Sequence, residues 1–230
     1  MGRGRAVASY LYGLILSASA SRVPAGIRGI DGGDVRVVAP AGSALTGIAS
    51  DLARVLHGGN LVDVRAHDDA LRAIVDAGVT VAASRFGQTF DDDDALRAAV
   101  ADAADRIVGA LQTFDGAVEM RVLVAAEPAA VPPARPSRDD RAQTPGRAYL
   151  EQLRQRLEPS ALSLRSALGP VVRAERVEHL AGGRGVAFAH LVARDDVGAY
   201  REAVAALPAL SDATVVGPLP LYSFTGPEHD

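Results

Sequence analysis

A chain of 230 residues can hold one large domain or two modest ones, and 48% hydrophobic with 23% charged residues is the balance of a globular protein. All 24 basic residues are arginine, set against 28 acids, and there is no cysteine, which excludes disulfides, thiolate catalysis and cysteine-based zinc sites. Up to Asp115, 11 arginines face 14 acids, and after it 13 face 14, so neither half is a basic module suited to a phosphate backbone.

The chain opens ambiguously. Arg3 and Arg5, an uncharged run from Ala6, and small residues at Ala18 and Ala20 have the shape of a secretory signal. The same stretch from Arg5 to Ser17 also suits a buried first β-strand, because Val7, Tyr10, Tyr12 and Ile15 favour a pleated surface. Ser9, Tyr10, Tyr12 and Gly13 interrupt it too often for a membrane-spanning helix. A loop with Pro24, Gly26, Gly29 and a turn at Asp31-Gly-Gly-Asp34 follows. Val35 to Ala39 and Ala44 to Ser50 then read as strands of a hairpin around Pro40-Ala-Gly42.

The spacing of Val64, Leu71, Ile74 and Val75 predicts a helix over Leu61 to Ala77, stopped at Gly78. Val79 to Ala83 has the length of a buried strand. Leu96, Val100, Ala103, Ile107, Leu111 and Phe114 keep helical spacing from Asp92 to Phe114, with Asp91 to Asp94 placed to cap the free N–H groups rather than to bind calcium. Val118 to Ala125 alternates as a strand, and Pro128 to Pro145 is a loop or insertion. A helix carrying Tyr149, Leu150, Leu153 and Leu157 continues past Pro159 to Leu168. Val171 to Leu180 and Val186 to Ala193 flank the hairpin signal Ala181-Gly-Gly-Arg-Gly185. Asp195 precedes a helix that ends at Pro208, and Thr214 to Val216 is a last short strand.

The second half therefore runs β-α-β-β-α-β, the ferredoxin-like order, and the first half fits the same order with its first helix eroded. This predicts an α+β protein of two domains: an N-terminal ferredoxin-like domain over 1–115, and a modified ferredoxin-like domain over 116–230 with an insertion at 128–145 and a tail at 217–230.

Catalytic signals are missing. The histidines His57, His67, His179, His190 and His229 lack metal-binding spacing. Gly182-Gly-Arg-Gly185 lies between strands and lacks the Lys-Ser/Thr of a phosphate loop, no serine sits in a nucleophile elbow, and Glu175 with Glu178 reads as a polar strand face. The expectation is a non-enzyme with no catalytic residue, cofactor, metal, nucleic acid or membrane as partner. Arg85 is expected to pair with Asp92 to Asp94. The alternative to a protein-binding role is a regulatory protein whose tandem ferredoxin-like domains bind a small metabolite at their interface.

Several short motifs, in order, resemble the gas vesicle protein F/L family. They are Tyr10-Leu-Tyr-Gly13, Arg85-Phe-Gly87 with Thr89 and Phe90, Glu119, Gly146 with Tyr149-Leu150, and Gly217-Pro218 with Tyr222-Ser-Phe224. The chain departs from the family at Ala83 and Ser84, where a proline is common, and at Leu219 and Leu221, where Trp and Pro are usual. The resemblance covers nearly the whole chain and implies a cytoplasmic, gas-vesicle-associated accessory protein. Its implied partners are the major hydrophobic shell protein and other accessory proteins, met during vesicle nucleation and growth. It also implies that Arg5 to Ser17 is a core strand. The residues it singles out for partner or interdomain contact are Tyr10, Tyr12, Arg85, Phe86, Gly87, Tyr149, Pro218, Tyr222 and Phe224.

Overall fold

A computed structural model describes residues 8–56, 59–125, 161–180 and 185–225. Contacts divide the chain into two compact units, Met1–Glu119 with Gly217–Asp230, and Met120–Val216. The residues from Gly217 onward thus group with the first unit, whereas the sequence suggests a second domain running to 230.

In the first unit, β1 (Ala8–Leu16), β2 (Arg36–Val38), β3 (Leu45–Leu52) and β4 (Ala82–Ala83) form a sheet of order β2-β3-β1-β4, with β5 (Thr89–Phe90) also pairing with β1. This is the ferredoxin-like order. The helix expected between the first two strands is replaced by a 3-10 segment, Ser17–Arg22. The opening stretch that resembles a signal is the central strand, where Tyr10, Tyr12 and Ile15 are completely buried. Pro40 starts the turn of the β2–β3 hairpin and Gly42 takes its positive φ of 70°.

Helix α1 (Leu61–Asp76) is capped by Asn60, which accepts from the Val62 amide, and helix α2 (Asp93–Thr113) by Asp92, which accepts from Ala95 N at 2.8 Å. The helices cover opposite faces of the sheet. A Cβ on Gly13 of β1 would press on Leu71 of α1, and one on Gly47 of β3 on Val100 of α2. Arg36 fixes the start of α2 by bonding Asp51 at 2.6 Å and Asp93 at 2.9 Å, while Ser9 also donates to Asp93. The Ser9 hydrogen bond, aided by Arg36, holds the Asp93 carboxyl below its usual range.

In the second unit, β6 (Ala117–Ala125), β7 (Val172–His179), β8 (Gly185–Ala193) and β9 (Thr214–Leu219) take the order β7-β8-β6-β9, again ferredoxin-like. Helix α3, residues 161–168, and helix α4 (Val197–Ala205) belong to it. Strand β9 is longer than the sequence suggests. Asp196, not Asp195, stands before α4, and its side chain makes no capping bond. The Pro-rich stretch, the first part of the helix expected from Tyr149, and the tip of the β7–β8 hairpin lie outside the described residues.

Candidate functional site

The Tyr-x-Tyr-Gly motif of β1 organises one face of the first unit. Tyr10 and Tyr12, two residues apart on β1, share its α1 side, and at the bulge opposite β3 between Leu11 and Gly13 the adjacent Gly13 faces α1 as well. The two rings meet edge to face with centroids 4.8 Å apart, and His67 of α1 stacks on Tyr12 at 5.5 Å. The Tyr12 hydroxyl bonds Ser50 Oγ at 2.9 Å and receives the Ile30 amide at 2.8 Å, which ties the crossover loop to the sheet. Gly29 passes so close to that hydroxyl that any side chain there would collide with it. Gly13 is equally constrained, since a Cβ would lie 2.8 Å from the Ala82 carbonyl oxygen.

The Tyr10 hydroxyl accepts the Gly87 amide at 3.1 Å and lies 2.9 Å from His67 Nδ1. The pair is satisfied in either neutral tautomer of His67, the phenol donating to a bare Nδ1 or accepting from Nδ1–H. Burial lowers the His67 pKa to about 4 and raises that of Tyr10 to about 12, which keeps both neutral. Phe86 closes the cluster, 5.8 Å from His67 and 6.3 Å from Tyr10. Each residue of Arg85-Phe-Gly87 thus has its own part. Phe86 packs inward, Gly87 turns the chain at φ 89° with its amide on Tyr10, and Arg85 is exposed.

The tail is drawn onto the same unit. Leu221 makes an isolated parallel bridge with Ala82 and donates to Val81 O at 2.8 Å. Tyr222 donates to Asp68 Oδ1, one residue after His67 on α1, at 3.0 Å. Ser223 bonds the fully buried Glu119 twice, by its amide at 2.7 Å and its hydroxyl at 3.1 Å, and Phe224 meets Phe114 edge to face. Glu119 and Tyr222-Ser-Phe224 are therefore a latch and its catch. Pro218 lies in β9 before the latch, and Tyr149 is outside the described residues.

On the α2 side a groove of about 540 Å³ opens between β1 and α2. Leu11 and Leu14 line it from β1, Val100 and Ile107 from α2, and Tyr222 with Thr225 from the tail. Ala103 and Ile107, although on the apolar stripe of α2, are only half-buried because they face this opening. Arg85 and Arg106 also line it. The contact expected between Arg85 and Asp92 to Asp94 is not formed: Asp92 caps α2, Asp93 holds Arg36, and Asp94 pairs with Arg97 at 2.6 Å.

The second unit holds a buried relay that the sequence does not announce. Tyr200 OH lies 2.7 Å from His190 Nδ1, His190 Nε2 lies 3.2 Å from Glu175, and Arg165 bonds Glu175 through two nitrogens. Burial lowers the His190 pKa and raises that of Tyr200; burial also opposes ionisation of Glu175, but Arg165 and His190 outweigh it and leave its pKa lowered. With neutral His190, the Tyr200 hydroxyl donates to Nδ1 and Nε2–H donates to the carboxylate. The Tyr200 side chain is completely buried, so the hydroxyl that a substrate would have to reach is sealed off. The alternation of charges along β7 gives no sign that Glu175 turns inward, since its partners come from α3 and β8. Among the described residues no three His, Asp or Glu side chains are grouped to hold a metal ion, and no helix is long and apolar enough to cross a membrane.

The fold and site define a two-unit α+β protein with an arginine-rimmed apolar groove and a latched tail. The sequence matches the gas vesicle synthesis protein GvpL/GvpF family over residues 8–226, and the chain belongs to that family. Its fold is similar to the crystal structure of GvpF from Anabaena sp. PCC7120, at TM-score 0.75 and 14% identity over 97% of this chain and 98% of that one. It is similar also to GvpF from Microcystis aeruginosa, at TM-score 0.73 and 13% identity over 96% and 99% of the two chains. No curated sequence is close enough to this chain to count as a match. Family membership places the chain in gas vesicle assembly.

Proposed function

We propose that this protein is a cytoplasmic, non-enzymatic accessory factor that binds the apolar shell subunit of the gas vesicle, and other accessory proteins, while the vesicle nucleates and grows. The observation that supports this reading is an open apolar groove in a chain of this family: about 540 Å³ floored by Leu11 and Leu14 and walled by Val100 and Ile107. A subunit destined for a hydrophobic shell carries surface that must be covered before assembly, and burial of apolar area is the dominant favourable term in such association. No phosphate loop is found in the sequence, so the covering is taken to be independent of ATP.

The test is co-purification of the N-terminally tagged full chain with the major shell protein, both expressed in the cytoplasm. Ile107→Glu places a charge on the half-buried wall of the groove without breaking helix α2, and should cut recovery of the shell protein about tenfold or more while the circular dichroism spectrum stays unchanged. Wild-type protein that is soluble and folded yet recovers no shell protein overturns the reading.

A further inference from the structure

We infer that the groove of the first unit accepts an amphipathic helix whose apolar face is flanked by carboxylates, and that Arg85 and Arg106 read those carboxylates. The inference rests on the reading of this groove as a protein-docking site.

Two cations reach the groove from different walls, Arg85 from the loop after β4 and Arg106 from α2. Neither forms an ion pair with a described carboxylate, whereas Arg28, Arg36, Arg54, Arg72, Arg97 and Arg165 all do. Asp92, Asp93 and Asp94, the acids expected to pair with Arg85, are engaged elsewhere. Arginine offers a planar fork of donors that matches a carboxylate with two parallel bonds, so a pair of such forks beside apolar walls selects an acidic rather than a basic partner.

The geometry favours a helix over an extended strand. Strand β1 is paired with β3 on one side and with β4 and β5 on the other, and the tail occupies Val81 O beside β4. A partner strand laid in the groove would find no open ladder here. A helix brings its own backbone hydrogen bonds and needs only side-chain contacts. The loop that carries Arg85 is set in advance by the Gly87 amide on Tyr10 and by Leu11 N donating to Gln88 O at 3.0 Å. Less of the binding energy is then lost to ordering it.

The experiment measures fluorescence anisotropy of the full chain with two labelled helical peptides of about four turns. Both carry leucine along one face, flanked in one peptide by Glu and in the other by Lys. The acidic peptide should bind about tenfold or more tightly than the basic one, and the Arg85→Glu, Arg106→Glu double variant should reverse that order. Should the double reversal unfold the protein, Arg85→Gln with Arg106→Gln should abolish the preference without reversing it. Equal affinity for both peptides, or a preference that the substitutions leave untouched, overturns the inference. Thermal stabilisation by octanoate with neither peptide bound also overturns it and gives the groove to a small carboxylate. Failure to recover shell protein while the peptide preference reverses as expected defeats the shell-subunit reading alone. Shell-protein recovery that survives both charge reversals, with no peptide preference, defeats this inference alone.

Discussion

His67 gives the aromatic cluster a pH limit. Its Nδ1 bonds the Tyr10 hydroxyl and its ring lies buried between Tyr12 and Phe86, so the neutral form is built into the fold. Its folded pKa of about 4 lies below the 6.5 of an unperturbed histidine, because burial penalises the cation. Between those values the unfolded chain binds a proton that the folded chain refuses. The stabilising contribution is complete above pH 6.5 and is lost as the pH falls toward 4, by up to about 3 kcal/mol. Urea unfolding of the wild type at steps from pH 7 to pH 4 should show this decline, and His67→Gln should flatten most of it. His190 is depressed by burial as well, so the difference between the two proteins isolates His67. Identical slopes in both would show that the His67 ring is not held neutral by the cluster.

Among whole elements, the tail is held most plainly by one buried group. Its hold on the first unit depends on Glu119, at the third position of β6, receiving both Ser223 donors. Glu119→Ala removes both acceptors. It should destabilise the first unit by about 2 kcal/mol and speed hydrogen exchange at the Leu221 and Ser223 amides well over tenfold, read by mass spectrometry. Unchanged exchange would mean that Leu221 and Phe224 anchor the tail without it. Local pattern reveals these residues but not their relation: Tyr222 and Ser223 meet partners 154 and 104 positions away, and a Pro-Leu-Pro-Leu segment is too short and too uniformly apolar to show which face it buries. Helix α2 is legible for the opposite reason, since one apolar stripe marks its span and its core face. The stripe does not say whether the opposing wall reaches every residue on it, and so Ala103 and Ile107 become groove lining instead of core. Arg85 is misjudged because pairing was inferred from nearness in sequence, while the acids near it were claimed by a helix cap and by two other arginines.

At the scale of the whole molecule, the first unit is built from both ends of the described chain. Strand β4 is only two residues long, and the segment from Val81 is bounded by the tail through Leu221. Without that cover, Val81 O and its neighbours form an open sheet edge beside the groove, the kind of edge that recruits other chains. A chain ending at Leu219 keeps all of β9 but loses Leu221, Tyr222, Ser223 and Phe224. It should melt several degrees lower and show larger species in size-exclusion chromatography, because the first unit has lost both a bridging segment and an aromatic plug. A synthetic peptide of residues 217–225 added in excess should restore part of the melting temperature and reduce the larger species, since the latch is held by non-covalent contacts that mass action can rebuild. A truncated chain as stable and as monodisperse as the full one would mean that the tail merely rests on the first unit. Rescue by the peptide would instead show it to be a separable part of that unit's sheet, and the groove that Tyr222 and Thr225 help line would then exist only when the tail is in place.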